Sequence, residues 1–404
     1  MRVDVVSPFV DRRHGTERAL AELLERLARD YRCEIHLFAQ RVEDLRVTRW
    51  DARQVAQKHA EEGIIFWHAV PAVRGPLLIS FIGWCFLNRW SRWAFTFFGG
   101  GKSDLMLSPG INCLDADVVV VHAIFQRLWE LSIEKSDANI PSGGGFRRLH
   151  RRAYYALLTS LERRIYTNPR VALAAVSQRT ASQLAAYFTR SDVRVIPNGV
   201  DITEFSQARR LANRRDARER SSLQQGEFVL LLIGNDWEVK GLATVLQALA
   251  LVRDLPGQLI VVGGDASAPF EKMAKALGVL DRCRWEKPGS TVLDFYAAAD
   301  IYVSPSREDS FGLPVAEAMA TGLPVIASSC AGVSTLIKDG VDGFVLDDPR
   351  DAQTLAKLFR LLHDQPALRE RIGNAAAEAA LSWTWDRHAA GVWELLKSVS
   401  ATPA

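Results

Sequence analysis

Three carboxylates and a lysine carry the chemistry legible in this chain. Glu308 and Asp309 lie in the stretch SPSREDSFGLPVAEAMATGLPVIAS (304–328), and Glu317 follows inside what reads as a helix. Pro314 suits a first helical turn, where a missing N–H is harmless, and Gly322 suits the stop. The amides of Phe311, Gly312 and Leu313 would then point out of the helix start and favour a phosphate. A carboxylate one turn in, Glu317, is placed to accept both hydroxyls of a ribose, and Asp309 can accept those of a sugar. The plainer reading makes Asp309 or Ser310 a helix cap and Glu317 a solvated first-turn acid. A second stretch, LLIGNDWEVKGLATVLQAL, reads as a strand, a short polar loop, and Lys240-Gly241 opening a helix. A lysine there meets the charge of a leaving phosphate; by itself it would read as a surface lysine.

These residues need a scaffold that brings loops to the carboxyl ends of strands. The chain has 404 residues, 48% of them hydrophobic, enough for more than one core. Short β-branched runs alternate with amphipathic stretches, the pattern of parallel sheets covered by helices. RVDVVSP, CEIHLFAQ, DVVVVH, VALAAVS and VRVIPN form a first series of strands. EFVLLLIG, QLIVVGG, IYVSPS, PVIAS and GFVLDD form a second. The polar, arginine-rich segment PNGVDITEFSQARRLANRRDARERSSLQQG reads as the connection between two doubly wound domains, residues 1–200 and 201–381. A closing amphipathic helix within 382–404 is expected to pack back on the first domain. Ligands of open α/β sheets bind at the carboxyl edge of the strands.

Several classes are disfavoured. A net charge of +3 is too small to argue for nucleic acid. Five scattered cysteines without a CxxC spacing fit neither a metal framework nor a disulfide scaffold, and suit a reducing compartment. The start lacks the pattern of a secretory signal, and the apolar run PLLISFIGWCFL falls short of the ~20 residues of a spanning helix. A cytoplasmic protein is expected, with a possible peripheral place on the inner face of the membrane.

Together the two stretches resemble the retaining glycosyltransferases of family 4, with the two-domain GT-B fold. The likeness extends from AAVSQRTASQLAAYF through VRVIPNGVDITEF to GVSTLIKDGVDGFVL. The resemblance implies two Rossmann-like domains facing across a cleft. It also implies retaining, metal-independent transfer of a hexosyl-type group from a nucleotide-diphosphate sugar, UDP-sugars favoured. The acceptor would be a saccharide or a lipid-linked acceptor, in cell-envelope polysaccharide or lipopolysaccharide assembly, and no cofactor is implied. The family's paired acids, normally both Glu, correspond to Asp309 and Glu317, with Glu308 one place out of register. Where a first phosphate-binding cation often stands, this chain has Asn235, leaving Lys240 as principal phosphate ligand unless Arg307 turns inward. The turn His14-Gly15-Thr16-Glu17 corresponds to a glycine loop near the donor diphosphate, and His122 to a histidine near the transferred sugar. Two rival readings are a partner subunit that binds sugar nucleotide without catalysis, and a dinucleotide-dependent oxidoreductase. The second requires G-x-G-x-x-G after the first strand, which SPFVDRRHGTER lacks.

Two further stripes concern membranes. GGGFRRLHRRAYYALLTSLERRIY carries Arg147, Arg148, Arg151 and Arg152 beside Tyr154 and Tyr155, and FLNRWSRWAFTFF sets Phe86, Trp90, Trp93 and Phe97 at helical spacing. Each reads either as an anionic-membrane contact or as ordinary core with a solvated basic face.

Overall fold

The computed structural model describes residues 1–50, 63–137, 145–224, 226–289 and 292–401. These fall into two compact units, Met1–Pro197 with Trp385–Ala404, and Asn198–Thr384. Each is an α/β unit built on a parallel sheet.

Among the described residues the first unit holds a two-stranded pair, Phe9–Val10 with Arg41–Val42, and a main sheet of eight strands. From one edge they are Arg194–Val195, Ala172–Ala175, Val118–Val121, Leu105–Pro109, Arg2–Val6, Glu34–Ala39, Ile65–Ala69 and Thr48–Arg49. All pairings are parallel. The apolar runs expected to be strands are strands. Ile65–Ala69 and Leu105–Pro109 lie between them without having been singled out, because each is short and mixed in polarity. The terminal helix Trp385–Ser400 packs on the helix Gly15–Arg29. Arg26 Nε donates to Asp386 at 2.6 Å, and Trp393 stacks on Tyr31 at 5.1 Å.

The second unit has six parallel strands: Cys283–Glu286, Gly257–Val262, Phe228–Ile233, Ile301–Ser304, Val325–Ser328 and Phe344–Leu346. Numbered along this unit, the order is 3-2-1-4-5-6, the doubly wound arrangement of dinucleotide-binding halves. The strand direction of winding reverses between Phe228–Ile233 and Ile301–Ser304, which is where such sheets take ligands. Buried Leu230, Leu232, Val245, Leu249, Val261, Val303 and Phe359 form its core.

One expectation is corrected. The arginine-rich connection contains a regular helix, Gln207–Arg220, that is part of the second unit. It docks through guanidinium groups rather than an apolar stripe, so hydrophobic periodicity does not reveal it. Arg214 donates to the carbonyls of Ala297 (3.1 Å) and Ala299 (2.7 Å) and to Asp300 (2.6 Å), and Arg218 to Ala298 O (3.0 Å) and Glu227 O (2.7 Å). Asp300 also accepts from Val229 N at 2.8 Å, tying this helix to the central strand. Asp300→Ala should lower the stability of this unit by about 1–3 kcal/mol in chemical denaturation, because two half-buried guanidinium groups and the Val229 amide lose their acceptor.

The two membrane stripes resolve differently. Arg151 and Arg152 are exposed, and Tyr154 and Tyr155 are half-buried, against Phe81 (6.2 Å between rings) and Trp129 (5.1 Å). The side chains of Arg147 and Arg148 lie outside the described residues. Phe86, Trp90, Trp93 and Phe97 are exposed, not core.

Candidate active site

The two loops at the switch point are shaped by backbone that only glycine adopts readily. After Phe228–Ile233 the chain passes Gly234, with φ +145°, and Asp236 in the left-handed region, then buries Trp237 against Trp285 (5.5 Å) and Phe270 (5.9 Å). A turn closes with Lys240 N on Asp236 O (2.9 Å) and Gly241 N on Glu238 O (3.2 Å). Gly241, φ +77°, then opens the helix Leu242–Leu251. Lys240 is thereby held with its stem over Gly234, where an added Cβ would lie 3.0 Å from Cε.

The second loop follows Ile301–Ser304. Arg307 N donates to Val239 O (2.7 Å), lacing it to the lysine loop. Asp309 is fixed on both sides, its amide on Cys330 O (3.1 Å) and its carbonyl accepting from Gly332 N (2.8 Å). Gly312, φ +93°, turns the chain into the helix Leu313–Ala320, with Pro314 in its first turn and Gly322 (φ +73°) after its end.

Lys240 and Asp309 meet here, the ammonium on Oδ2 of the carboxylate, both side chains largely buried. Sixty-nine positions separate them in sequence, and the sheet order puts them together. Asp309 Oδ1 accepts from Phe311 N (3.3 Å), so of the three amides expected to face an anion, Phe311 is occupied. Those of Gly312 and Leu313 have no protein acceptor among the described residues. Glu317 is buried, not a solvated first-turn acid, and Oε2 accepts from the hydroxyl of Tyr296 at 2.7 Å. Tyr296, on the helix Val292–Ala298, is a site residue that sequence reasoning missed, since nothing in its local pattern points to Glu317. Glu308 is buried and Ser310 half-buried beside Asp309. Asn235 presents no cation but a carbonyl, accepting from Gly264 N at 2.9 Å and bracing the next loop. The Arg307 guanidinium stands 3.8 Å from Glu238, at the edge of the lysine loop.

Comparison with known proteins is consistent along the chain. The family model for group 1 glycosyl transferases matches residues 213–379, and that for glycosyltransferase family 4 matches residues 13–204. The chain belongs to the family 4, group 1 glycosyltransferases. A D-inositol 3-phosphate glycosyltransferase of Nocardiopsis dassonvillei is 33% identical over 248 residues, 57% of each chain. That of Thermomonospora curvata is 34% identical over 210 residues, 48% of each. The matched part thus spans about half the length of these curated relatives. Among solved structures, WaaG, a glycosyltransferase involved in lipopolysaccharide biosynthesis, superposes over the full length of both chains with a TM-score of 0.75 at 17% identity. Anabaena HepE, in complex with UDP and glucose, covers 98% of this chain and 100% of its own, with a TM-score of 0.70 at 17% identity. These likenesses establish the GT-B fold, two Rossmann-like domains.

In this glycosyltransferase fold the first unit positions the remaining candidates. Gly15 is exposed and starts the helix Gly15–Arg29 with ordinary backbone angles, so no left-handed turn explains it. The turn before it is shaped by Asp11, which the sequence reading passed over. Its Oδ1 accepts from Arg13 N (2.8 Å) and His14 N (3.0 Å), and the His14 ring lies 3.0 Å away. Burial opposes the charge on Asp11, but these bonds hold its carboxyl below the usual range. Burial raises that of Glu17, one turn on.

His122 follows Val118–Val121, half-buried. Burial first, and His388 second, push it down to about 3, so its imidazole is neutral at ordinary pH. His388 on the terminal helix is buried and donates Nδ1–H to Pro197 O at 2.9 Å. Burial likewise lowers His388 and His36 to about 4 and His68 to about 3, from 6.5. All four belong to the first unit. Their stability contribution is complete above 6.5 and is lost as pH falls toward 3, because the unfolded chain binds the protons first. Asp4 and Glu162, raised by burial to about 6 and about 7, act oppositely. The four histidines outweigh Asp4, Glu162 and Glu17, so amides of Val118–Val121, corrected for intrinsic rate, should exchange faster at about pH 5 than pH 7. The strand Phe228–Ile233 of the second unit serves as reference.

Proposed function

We propose that this protein transfers a glycosyl group, with retention and without a metal, from a nucleotide-diphosphate sugar to a saccharide or lipid-linked acceptor in envelope polysaccharide or lipopolysaccharide assembly. A UDP-sugar is the favoured donor. The observation that carries the reading is the Lys240–Asp309 pair at the switch point of the second sheet, one helical start away from Glu317.

Each partner of this pair satisfies the other. A donor separates them: its diphosphate takes the Lys240 ammonium together with the Gly312 and Leu313 amides, and its sugar hydroxyls take the Asp309 carboxylate. Glu317, oriented by Tyr296, accepts the ribose hydroxyls. Charge developing on the leaving diphosphate as the glycosidic bond breaks is then met by preorganised donors. Glycosyl cleavage through an oxocarbenium-like state needs that stabilisation above all. In this reading neutral His122 serves the transferred sugar, and Gly15 with its flanking turn serves the diphosphate.

Thermal shifts against UDP, GDP, ADP and their sugar conjugates, with NAD and FAD as controls, test the donor class. Saturating ligand at ~100 Kd adds about 2.7 kcal/mol of apparent stability. A shift with one nucleotide diphosphate, reduced in Lys240→Ala, supports the reading, whereas a shift with NAD or FAD alone overturns it. The anomeric signal of the product by proton NMR decides retention. Asp309→Ala separates the two halves of the argument. It removes the competing carboxylate, so UDP alone should bind at least as tightly as to wild type, while turnover with the sugar donor falls by roughly a hundredfold.

A further inference from the structure

The helix Leu77–Phe95 is amphipathic in the wrong sense for water. Its buried face holds polar groups as well as Trp84: Asn88, donating to Trp84 O at 2.7 Å, and Arg92, paired with Asp115 at 2.7 Å. Its outer face carries Ile79, Ile82, Phe86, Trp90 and Trp93, continued by Phe97 and Phe98 beyond its end, all between 52% and 81% exposed. The steps of three and four residues make one stripe along the helix. Trp93 stacks on Phe97 at 5.2 Å, so the aromatic end is continuous. An apolar face of this extent on a soluble surface marks a contact.

The chemistry of the surroundings selects the occupant. From Gly75 to Ser103 the chain contains no acidic residue, while Arg89 and Lys102 are exposed, as is Arg74 just before. The helix Gly145–Tyr166 packs alongside, joined through Phe81 and Tyr154, and adds exposed Arg151 and Arg152. A second copy of the chain meeting this face across a two-fold axis would set these cations against their own kind. An anionic bilayer instead accepts tryptophan and phenylalanine at its headgroup boundary and attracts the basic rim. Among the described residues no helix is long and apolar enough to cross a membrane, which leaves lying in the interface.

We propose that the stripe Ile79–Ile82–Phe86–Trp90–Trp93–Phe97 is a membrane-docking face that inserts into the headgroup region of an anionic lipid bilayer, lying parallel to its plane. The proposal does not rest on the transferase reading, since lipid binding is measured without donor or turnover.

Flotation of the full chain with phosphatidylcholine–phosphatidylglycerol vesicles, compared with pure phosphatidylcholine, tests it. The wild type should float with the anionic vesicles, and brominated lipid should quench its tryptophan fluorescence. Phe86→Ser with Trp90→Ser and Trp93→Ser should lower partitioning by at least about tenfold at an unchanged unfolding temperature, because these side chains are already in water. Arg89→Glu with Lys102→Glu, which leaves the apolar stripe intact, should weaken binding to anionic vesicles alone. Partitioning of the triple variant equal to wild type overturns the proposal. So does a wild type that ignores both vesicles, or one that is a dimer through this face and ignores lipid.

Discussion

Replacing Lys240 by alanine is expected to reduce glycosyl transfer by at least about 10²–10³-fold, the scale of losing one preorganised donor to a developing anion (about 2.7–4 kcal/mol). The loss should fall mainly on kcat with a sugar donor, because the charge that Lys240 meets is greatest as the glycosidic bond breaks. Nucleotide-diphosphate affinity should fall too, but less, since the Gly312 and Leu313 amides remain. Folding should be weakened but not abolished. The ammonium and the Asp309 carboxylate are a largely buried pair, so deleting one end leaves Asp309 with its bond from Phe311 N and costs the second unit about 1–3 kcal/mol. Steady-state kinetics and thermal unfolding of the same preparation check both parts. Transfer at wild-type rate in Lys240→Ala would sink the site assignment, whatever the fold.

The second large effect is on the scaffold. Gly241→Ala should destabilise the second unit by at least about 3 kcal/mol, adding the penalty of a left-handed non-glycine residue to that of overpacking. Gly241 has φ +77°, and a Cβ built on it would overlap the carbonyl oxygen of Pro305, backbone that cannot rotate aside. For a unit of this size that is a fall in melting temperature of roughly 6–12 °C. Because Pro305 lies at the root of the Asp309 loop, relief of the clash must push the two site loops apart. Donor binding should therefore weaken even at temperatures where the variant is folded. Ala at Gly340, also at positive φ but with open space around its Cβ, is the control: the conformational penalty without the collision. If Gly241→Ala were no worse than Gly340→Ala, the close packing of the two loops would not be what holds Lys240 in place.

Sequence carried the site further than the scaffold around it. The eight-residue spacing from Asp309 to Glu317 across a glycine and a proline is a local property, and so is a Lys-Gly pair opening a helix. The central strands are equally local, since β-branched runs buried on both faces need no partner to be recognised. The short strands Ile65–Ala69 and Leu105–Pro109 escaped because their composition is mixed. The helix Gln207–Arg220 escaped because guanidinium–carbonyl bonds leave no periodic trace. Tyr296 escaped because it acts on a neighbour chosen by the fold, whereas Asp11 acts locally, on the amides of Arg13 and His14, in a turn whose composition alone does not mark a site.

The sequence alone therefore determined the family, the α/β alternation and the residue types at the phosphate and hydroxyl positions, since these depend on neighbours within a turn or two of helix. Only the tertiary structure decided that Lys240 and Asp309 neutralise each other, that Tyr296 orients Glu317, and that Phe86, Trp90 and Trp93 face outward. Those outcomes depend on which strands lie side by side and which face of a helix finds a partner. Helical spacing marks a stripe but carries no sign for inside or outside. The sign here was set by Trp84, Asn88 and Arg92, whose contacts with the first unit turned the aromatic stripe toward solvent.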